Sequence, residues 1–485
     1  MKTIILLFNS LFLAVMVEAQ IIRIPEDQPT IQDGINAAAS GDTVLVSDGI
    51  YFENISFAGN DITVASNFIM DHDFNHINHT IIDGSQPADP DSASVVTFCS
   101  GEDVFSVLDG FTIIHGAGTF VTEDNETAGG GIYCLNAGPL LRHLIVKNNQ
   151  SWSGSGIYCN NSVVKIVEVT IKDNSWTEVG GGLCLLGGYP CLKNVRIMNN
   201  FGDWGGGVYL DSGGADFINV MITDNTGGYG GGMLCISGSP NYINTTIANN
   251  TAYFGGGLEC FAGSHPVLVN SILWNNSPEQ VNFLGDYDPN SITISWSDIQ
   301  GGLAGIVTNN NATVNWLDGN LDLFPQFAGD GEDPLSLTET SPCIDTGTPD
   351  TTGLNLPDGD LLGNFRMWDG DGDGMARVDM GAYEYGAVTL GSERHPAAFF
   401  PLQLTIYPNP FRSGTTIEYQ LNKNTSVTLT IYNQLGQAIK ILVNELHAKG
   451  LHRLKWNAKS LPSGIYFCLL SYENQRISGK FIKTD

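Results

Sequence analysis

The sequence predicts an all-β protein: a long parallel β-helix solenoid followed by a small β-sandwich. The first observation is a repeat. Between Gly129 and Asn276 glycine clusters end at Gly131, Gly156, Gly182, Gly207, Gly232 and Gly257, a step of 25 or 26 residues each time. Fifteen residues on from these glycines stand Val146, Ile171, Ile197, Ile222, Ile247 and Ile272, and eighteen on stand Asn149, Asn174, Asn200, Asn225, Asn250 and Asn275. A fixed period with constant Gly, aliphatic and Asn slots marks a solenoid in which each repeat covers the apolar face of the next. The second observation is alternation. The residue after each cluster is Ile132, Ile157, Leu183, Val208, Met233 or Leu258, and two further on stands Cys134, Cys159, Leu185, Leu210, Cys235 or Cys260. That is a strand with one inward face, and a second strand ends at the Val/Ile slot. The third observation lies at the other end of the chain. From Leu402 onward about seven short alternating strands are separated by Gly, Asn and Pro turns, a sandwich pattern.

Runs this short between glycine-rich turns leave no room for an amphipathic helix inside a repeat. Equal slots on stacked strands fall roughly 4.8 Å apart and form ladders along the axis. Asn suits this role, because it tolerates left-handed backbone and stacked amides hydrogen-bond to one another. Ahead of the repeats, Asp27 to Ala39 contains a short helix with Ile31, Ile35 and Ala38 on one face; Gly41-Asp42 ends it, and a strand begins at Thr43. Such a helix hides the apolar end of the first coil. Asp71 to Asn78, polar and rich in histidine, is expected to be a loop.

These features together resemble the right-handed parallel β-helix (pectin-lyase-like) family, in its branch of glycine-rich bacterial surface proteins. The resemblance implies a helix-capped solenoid over 20–386, with regular coils over 129–276. SPCIDTG (Ser341–Gly347) resembles a late coil and DMGAYEY (Asp379–Tyr385) a final strand. YPNPF at Tyr407–Phe411, the IYNQLGQ strand and LPSGIYF before a basic tail resemble the C-terminal sorting domain of type IX secretion cargo. That resemblance gives 402–485 an immunoglobulin-like sandwich and a partner, the outer-membrane export machinery. Residues 387–401 are then a linker.

The rest of the composition agrees with export. Met1–Ala19 has the form of a signal peptide, with Lys2, an apolar run, and Val17 and Ala19 at the cleavage positions. No later stretch is apolar enough to span a membrane as a helix. The expected location is outside the cell or on its surface. Of the net charge of −30, the last 89 residues carry +6 and the remainder −36. So acidic a body repels phosphates and excludes nucleic acid as partner. Nine cysteines are an odd number and cannot all pair within one chain. Cys134/Cys159 and Cys235/Cys260 fall on inward slots of adjacent coils, where buried thiols and intercoil disulfides both fit.

Three features carry possible chemistry. In DGDGDGMARVD, Asp369, Asp371 and Asp373 alternate with glycine, and Asp379 closes the run. Three carboxylates turned onto one hard cation suit calcium. The start resembles a dockerin-type loop, but Met380 stands where a bidentate acid is wanted, so a solvated acidic hairpin is the alternative. Second, Trp204, Tyr229 and Phe254 stand three places before the last glycine of consecutive clusters, with Trp152 and Trp176 in the same turn of earlier coils. Such a strip either stacks on sugar rings or stacks on itself. Third, GIYFEN (Gly49–Asn54) is similar to an opening motif of pectin methylesterases. The later Gln-Asp pair of that family has no counterpart in matching context, nor do the catalytic motifs of polygalacturonases. A lyase needs a base, and Arg142, Lys147, Lys165, Lys172, Lys193 and Arg196 are scattered over the second strand. The expectation is an exported surface protein that binds polysaccharide or glycans without catalysis. The alternative is a calcium-dependent polysaccharide lyase or hydrolase.

Overall fold

Three strand segments and three bends make one coil, and the registers show how the repeat produces them. The computed structural model describes residues 19–388, apart from 123, 124, 176, 177, 286, 287 and 332. In the C-terminal part it describes 404–484, with breaks at 408–410, 413, 422–424, 434–437, 448–449, 460 and 473–474. All of the expected signal peptide but Ala19 lies outside these residues, as does most of the expected linker. The chain divides into two compact units, 1–390 and 391–485.

The first unit is a parallel β-solenoid of about 12 turns. One strand of each coil joins a 10-stranded parallel sheet, in which Ile132, Ile157, Leu183, Val208, Met233 and Leu258 stand in register. The rest of the coil is not one strand but two, for example Leu140–Arg142 and Ile145–Lys147, both in a 20-stranded sheet. They are parted by a residue in left-handed conformation, here His143 with φ 50°. The inward slots of both sheets form one continuous apolar core. Cys134 pairs in register with Cys159 and Cys235 with Cys260, and these buried cysteines are free thiols.

At the glycine turn a column of buried amides runs along the axis. Asn225 Nδ2 donates to Asn250 Oδ1 (3.0 Å) and to the Ile197 carbonyl (3.0 Å), while its own Oδ1 accepts from the backbone N–H and amide of Asn200. The same bonds recur from Asn149 onward. The glycines are matched to these amides. A Cβ on Gly207 would stand 2.6 Å from the Gly232 carbonyl oxygen and 2.9 Å from the Asn225 amide nitrogen. The last rung differs from the sequence expectation. Asn250 donates to Asn276, not Asn275, and Ile247 pairs with Leu273, not Ile272. Phe261 still pairs with Ile236, 25 residues back, but Val267 pairs with Asn241, 26 back, so one extra residue enters at the bend between them. Asn275 takes the left-handed position before the ladder (φ 56°), and its side chain donates to Asn249.

The ends are closed in different ways. The helix Ile31–Ala37 buries Ile31 and Ile35 over the first coil, with Thr30 as N-cap. Glu53, from the GIYFEN motif, accepts the N–H groups of Ile31 and Gln32 (3.0 Å each), placing an anion at the helix N-terminus. The expected histidine loop instead forms two short helices, Phe68–Asp71 and Asn75–His79, because Phe68 and Ile77 are buried and His76 bridges Asp48 and Asp71. SPCIDTG and DMGAYEY are neither coil nor strand. They belong to an irregular strap, residues 318–388, which bonds partly to its own backbone and is tied to the coils by backbone and side-chain groups. Asn244 Nδ2 donates to the Asp379 carbonyl (2.7 Å), the Ala382 N–H donates to Thr246, and the Thr348 N–H donates to Asn270. Met221, Ala248 and Ile272 face outward and are buried beneath it, against Ala382, Tyr383 and Met380.

The described residues of the second unit form seven strands, from Leu404–Tyr407 to Gln475–Lys483, in antiparallel sheets of three and four around Phe411, Ile417, Leu429, Trp456 and Phe481.

The register of the last rung is testable. Asn276→Ala strands buried donors of Asn250 and is expected to destabilise the solenoid by about 2 kcal/mol. Asn275→Gly, at an exposed left-handed site, should change stability by no more than about 0.5 kcal/mol. Thermal unfolding midpoints that rank the two variants in the opposite order would refute this assignment.

Candidate functional site

The left-handed bend between the paired strands makes a second column, on the outer face. Six of its consecutive rungs are His143, Glu168, Asn194, Asn219, Asn244 and Asn270, all with φ between 49° and 57°. Four of the six are Asn, which accepts this backbone readily; Glu does not, and holding one there costs about 1 kcal/mol. The strap covers the later rungs, where Arg366 donates to Asn219 (2.7 Å) and Asn244 and Asn270 bond to strap backbone. His143, Glu168 and Asn194 stay uncovered and line a cleft of about 330 Å³. Its floor holds Ile145, Thr170 and Arg196, outward residues of three consecutive coils. Phe74, Ile77 and Asn78 close one end, and the strap turn Leu361–Gly363 closes the other.

Charge in the cleft is arranged in bonded groups. Asp109 is buried and accepts from Arg142 Nε and His143 Nδ1, both at 2.7 Å. The other imidazole nitrogen, Nε2, lies 3.1 Å from Glu168 Oε2. Burial opposes charging His143, but hydrogen bonds and charge from Asp109 and Glu168 carry it up to about 9. The bond from His143 in turn holds the Glu168 carboxyl below its ordinary range, against partial burial. At neutral pH the pair is imidazolium and carboxylate. Arg196 donates to Asp333 (3.2 Å) and to the Leu361 carbonyl (2.8 Å). Of the other basic residues named from sequence, Lys193 donates to the Asn355 carbonyl and Lys172 stands 3.8 Å from Asp173.

The aromatic strip forms, though not as one surface of all five residues. Trp204, Tyr229 and Phe254 share one slot, with ring centroids 5.2 and 5.4 Å apart and planes 33° and 21° apart. Their faces are therefore turned largely toward each other, while Trp204 and Phe254 remain 38% and 45% exposed. Trp152 is exposed but stands one place before this slot, which Ser153 and Val179 occupy in the earlier coils. Trp176 lies outside the described residues. Phe201 and Tyr253 extend the exposed aromatic surface, Tyr253 being 79% exposed.

The acidic hairpin gathers a different set of carboxylates from the one expected. Oxygen atoms of Asp345, Asp369 and Asp371 lie within 4.8 Å of one another. Asp345 comes from SPCIDTG, and its carboxylate also accepts the N–H groups of Gly370, Asp371 and Arg377. Asp373 is outside this group, and its carboxylate accepts the Met375 N–H. Asp379 turns inward: it is buried, and its two oxygens accept the N–H groups of Asp345 and Tyr385 (2.7 Å each). The alternation of Asp and Gly left this out of view, because Asp379 follows a change of chain direction. Oxygen donors suit a hard cation, and the bonds already made leave further lone pairs on each carboxylate.

The cleft was missed although the repeat contains it. Twelve residues on from the last glycines stand His143, Glu168, Asn194, Asn219 and Asn244, and the first two break a run of Asn.

Residues 405–484 match the family described as the secretion system C-terminal sorting domain. The C-terminal unit is such a type IX sorting domain, and the protein is accordingly exported and attached at the cell surface. Among solved structures, the chain is similar to a mutant pectin methylesterase in complex with a hexasaccharide. The identity is 12% and the TM-score 0.26, over 68% of this chain and 95% of that one. No curated protein matches the chain.

The buried acids of the strap predict a pH dependence. Arg366 is buried with Glu384 (3.2 Å), close to Asp379, and Asp360 accepts the Glu384 N–H. Burial pushes the Asp379 carboxyl up to about 7, and Glu384 well above the ordinary carboxylate range, with the charges of Asp345 on Asp379 and of Asp379 on Glu384 adding to it. Folded values above unfolded ones mean stability that is full in acid and is lost as pH rises through about 7. Amide hydrogen exchange over 343–385, corrected for intrinsic rate, should speed up several-fold from about pH 6 to about pH 8.5. Unchanged or stronger protection at the higher pH would reject this.

Proposed function

We propose that the protein is an exported surface protein that binds extended polysaccharide along its aromatic turn face, without cleaving it. The observation that supports this best is the row Trp204–Tyr229–Phe254 on successive coils, in which Trp204 and Phe254 are exposed and Tyr229 is half-buried between them, with Phe201 and Tyr253 also exposed. An apolar aromatic surface that stays open on a solenoid suits a long ligand lying along the axis. Polymer would meet ring edges at each coil. The second reading, a calcium-dependent lyase or hydrolase, has the convergence of Glu168, Arg196 and His143 in its favour. Against it, these groups are already engaged with one another, His143 with Asp109 and Glu168, and Arg196 with Asp333.

Size-exclusion chromatography with a panel of neutral and acidic polysaccharides separates the two. Co-elution of intact polymer, weakened tenfold or more by Trp204→Ala with Tyr229→Ala, is the expected result. Polymer that shortens with time would replace binding by catalysis. Calcium at Asp345, Asp369 and Asp371 belongs to the same proposal, as a brace between strap segments. Millimolar calcium should raise the thermal midpoint of the wild type and not of Asp369→Asn; equal midpoints with calcium and with chelator would remove it.

A further inference from the structure

We propose that the cleft at His143, Glu168 and Asn194 is a separate site for the end of a neutral glycan, one or two sugar rings long. It rests on the reading that this protein binds glycans, and it concerns a different face from the aromatic row.

Shape comes first. The floor residues Ile145, Thr170 and Arg196 belong to three neighbouring coils, so they span about 10 Å at roughly 4.8 Å per strand. Both ends along the axis are walled, by Phe74 and Ile77 on one side and by Leu361 and Leu362 on the other. A polymer running along the solenoid cannot pass through, whereas a chain end can enter. A volume of about 330 Å³ is at the small end for ligand sites.

The lining chemistry points to a hydroxyl-rich ring. A carboxylate (Glu168), an amide (Asn194), a hydroxyl (Thr170) and a guanidinium (Arg196) line a space whose ends combine the apolar Phe74, Ile77, Leu361 and Leu362 with Asn78 and Asp360. Such a site hydrogen-bonds ring hydroxyls in the middle and packs against the C–H faces of a sugar at the walls. Charge then selects within the class. Glu168 and Asp109 are matched by His143 and Arg142, and Arg196 by Asp333. Among the described residues no cation in the cleft is left over for an anionic sugar, and a chain of net charge −30 repels one. The chain carries Glu at 168, in left-handed backbone where the next four rungs are Asn. A residue that the fold disfavours at its own position is consistent with a role for its carboxylate.

The test uses the full chain and isothermal titration with cellobiose, maltose and chitobiose, with digalacturonate as the charged comparison. Two variants address the cleft. Glu168→Asn installs the residue that the column uses elsewhere, so it should fold at least as well as wild type. Thr170→Tyr fills the floor from an outward-facing position. At least one neutral disaccharide is expected to bind once per chain, tenfold or more weakly to either variant, and unchanged in Trp204→Ala/Tyr229→Ala. Polymer co-elution should show the reverse pattern. If polymers bind but no neutral disaccharide does, if disaccharide binding survives both cleft variants, or if digalacturonate binds as well as the neutral sugars, the cleft assignment falls and the polysaccharide reading stands. If no glycan of any length binds, both fall together.

Discussion

The amide column at the glycine turn is the constraint on which the rest of the solenoid depends. A coil has no core of its own and stays folded only while its neighbours cover it. At the turn the backbone is too irregular to be satisfied by strand pairing alone, and buried polar groups without partners would be costly there. Each ladder Asn answers this by bonding to the next amide and to a carbonyl of the coil before it. The amides need close approach, and a glycine supplies it by leaving out a Cβ that would meet the facing carbonyl oxygen. Gly and Asn therefore recur together because each occupies space that the other leaves.

The outer column shows what the fold does when the same geometry is free of that demand. Its bend asks only for left-handed backbone, and Asn provides it at four rungs. At the later rungs the strap has taken over the amides as hydrogen-bonding partners and covers Met221, Ala248 and Ile272, which would otherwise be an exposed apolar face. At the earlier rungs the side chains are His143, held by Asp109, and Glu168, held by His143, and both line the open cleft. One structural device is thus used as a seat for the chain's own strap in one half and left as an open cleft in the other.

Parts of this were legible in the residues and parts were not. The alternation after each glycine cluster placed Ile132, Cys134 and their counterparts inward without any structure. Asn275 and Ile272 illustrate the limit of counting: one inserted residue near Gly263 moves every later slot, and only the pairing of Val267 with Asn241 reveals it. Trp204, Tyr229 and Phe254 were readable as a row, but whether the rings face solvent or each other depends on side-chain torsions that spacing does not carry. Asp345 lies 24 residues before Asp369 in the chain and meets it only because the strap folds back.

By itself, then, the sequence determined the repeat, the class of fold, the helix over the first coil and the sorting domain at the end. These are properties of local period and of motifs short enough to be read along the chain. The course of the strap, the cleft that it leaves open and the partners of each carboxylate were decided by tertiary structure alone. They arise where residues more than a hundred positions apart, such as Asn219 and Arg366, bury polar groups against one another, and no local pattern encodes which of the many possible partners will be met.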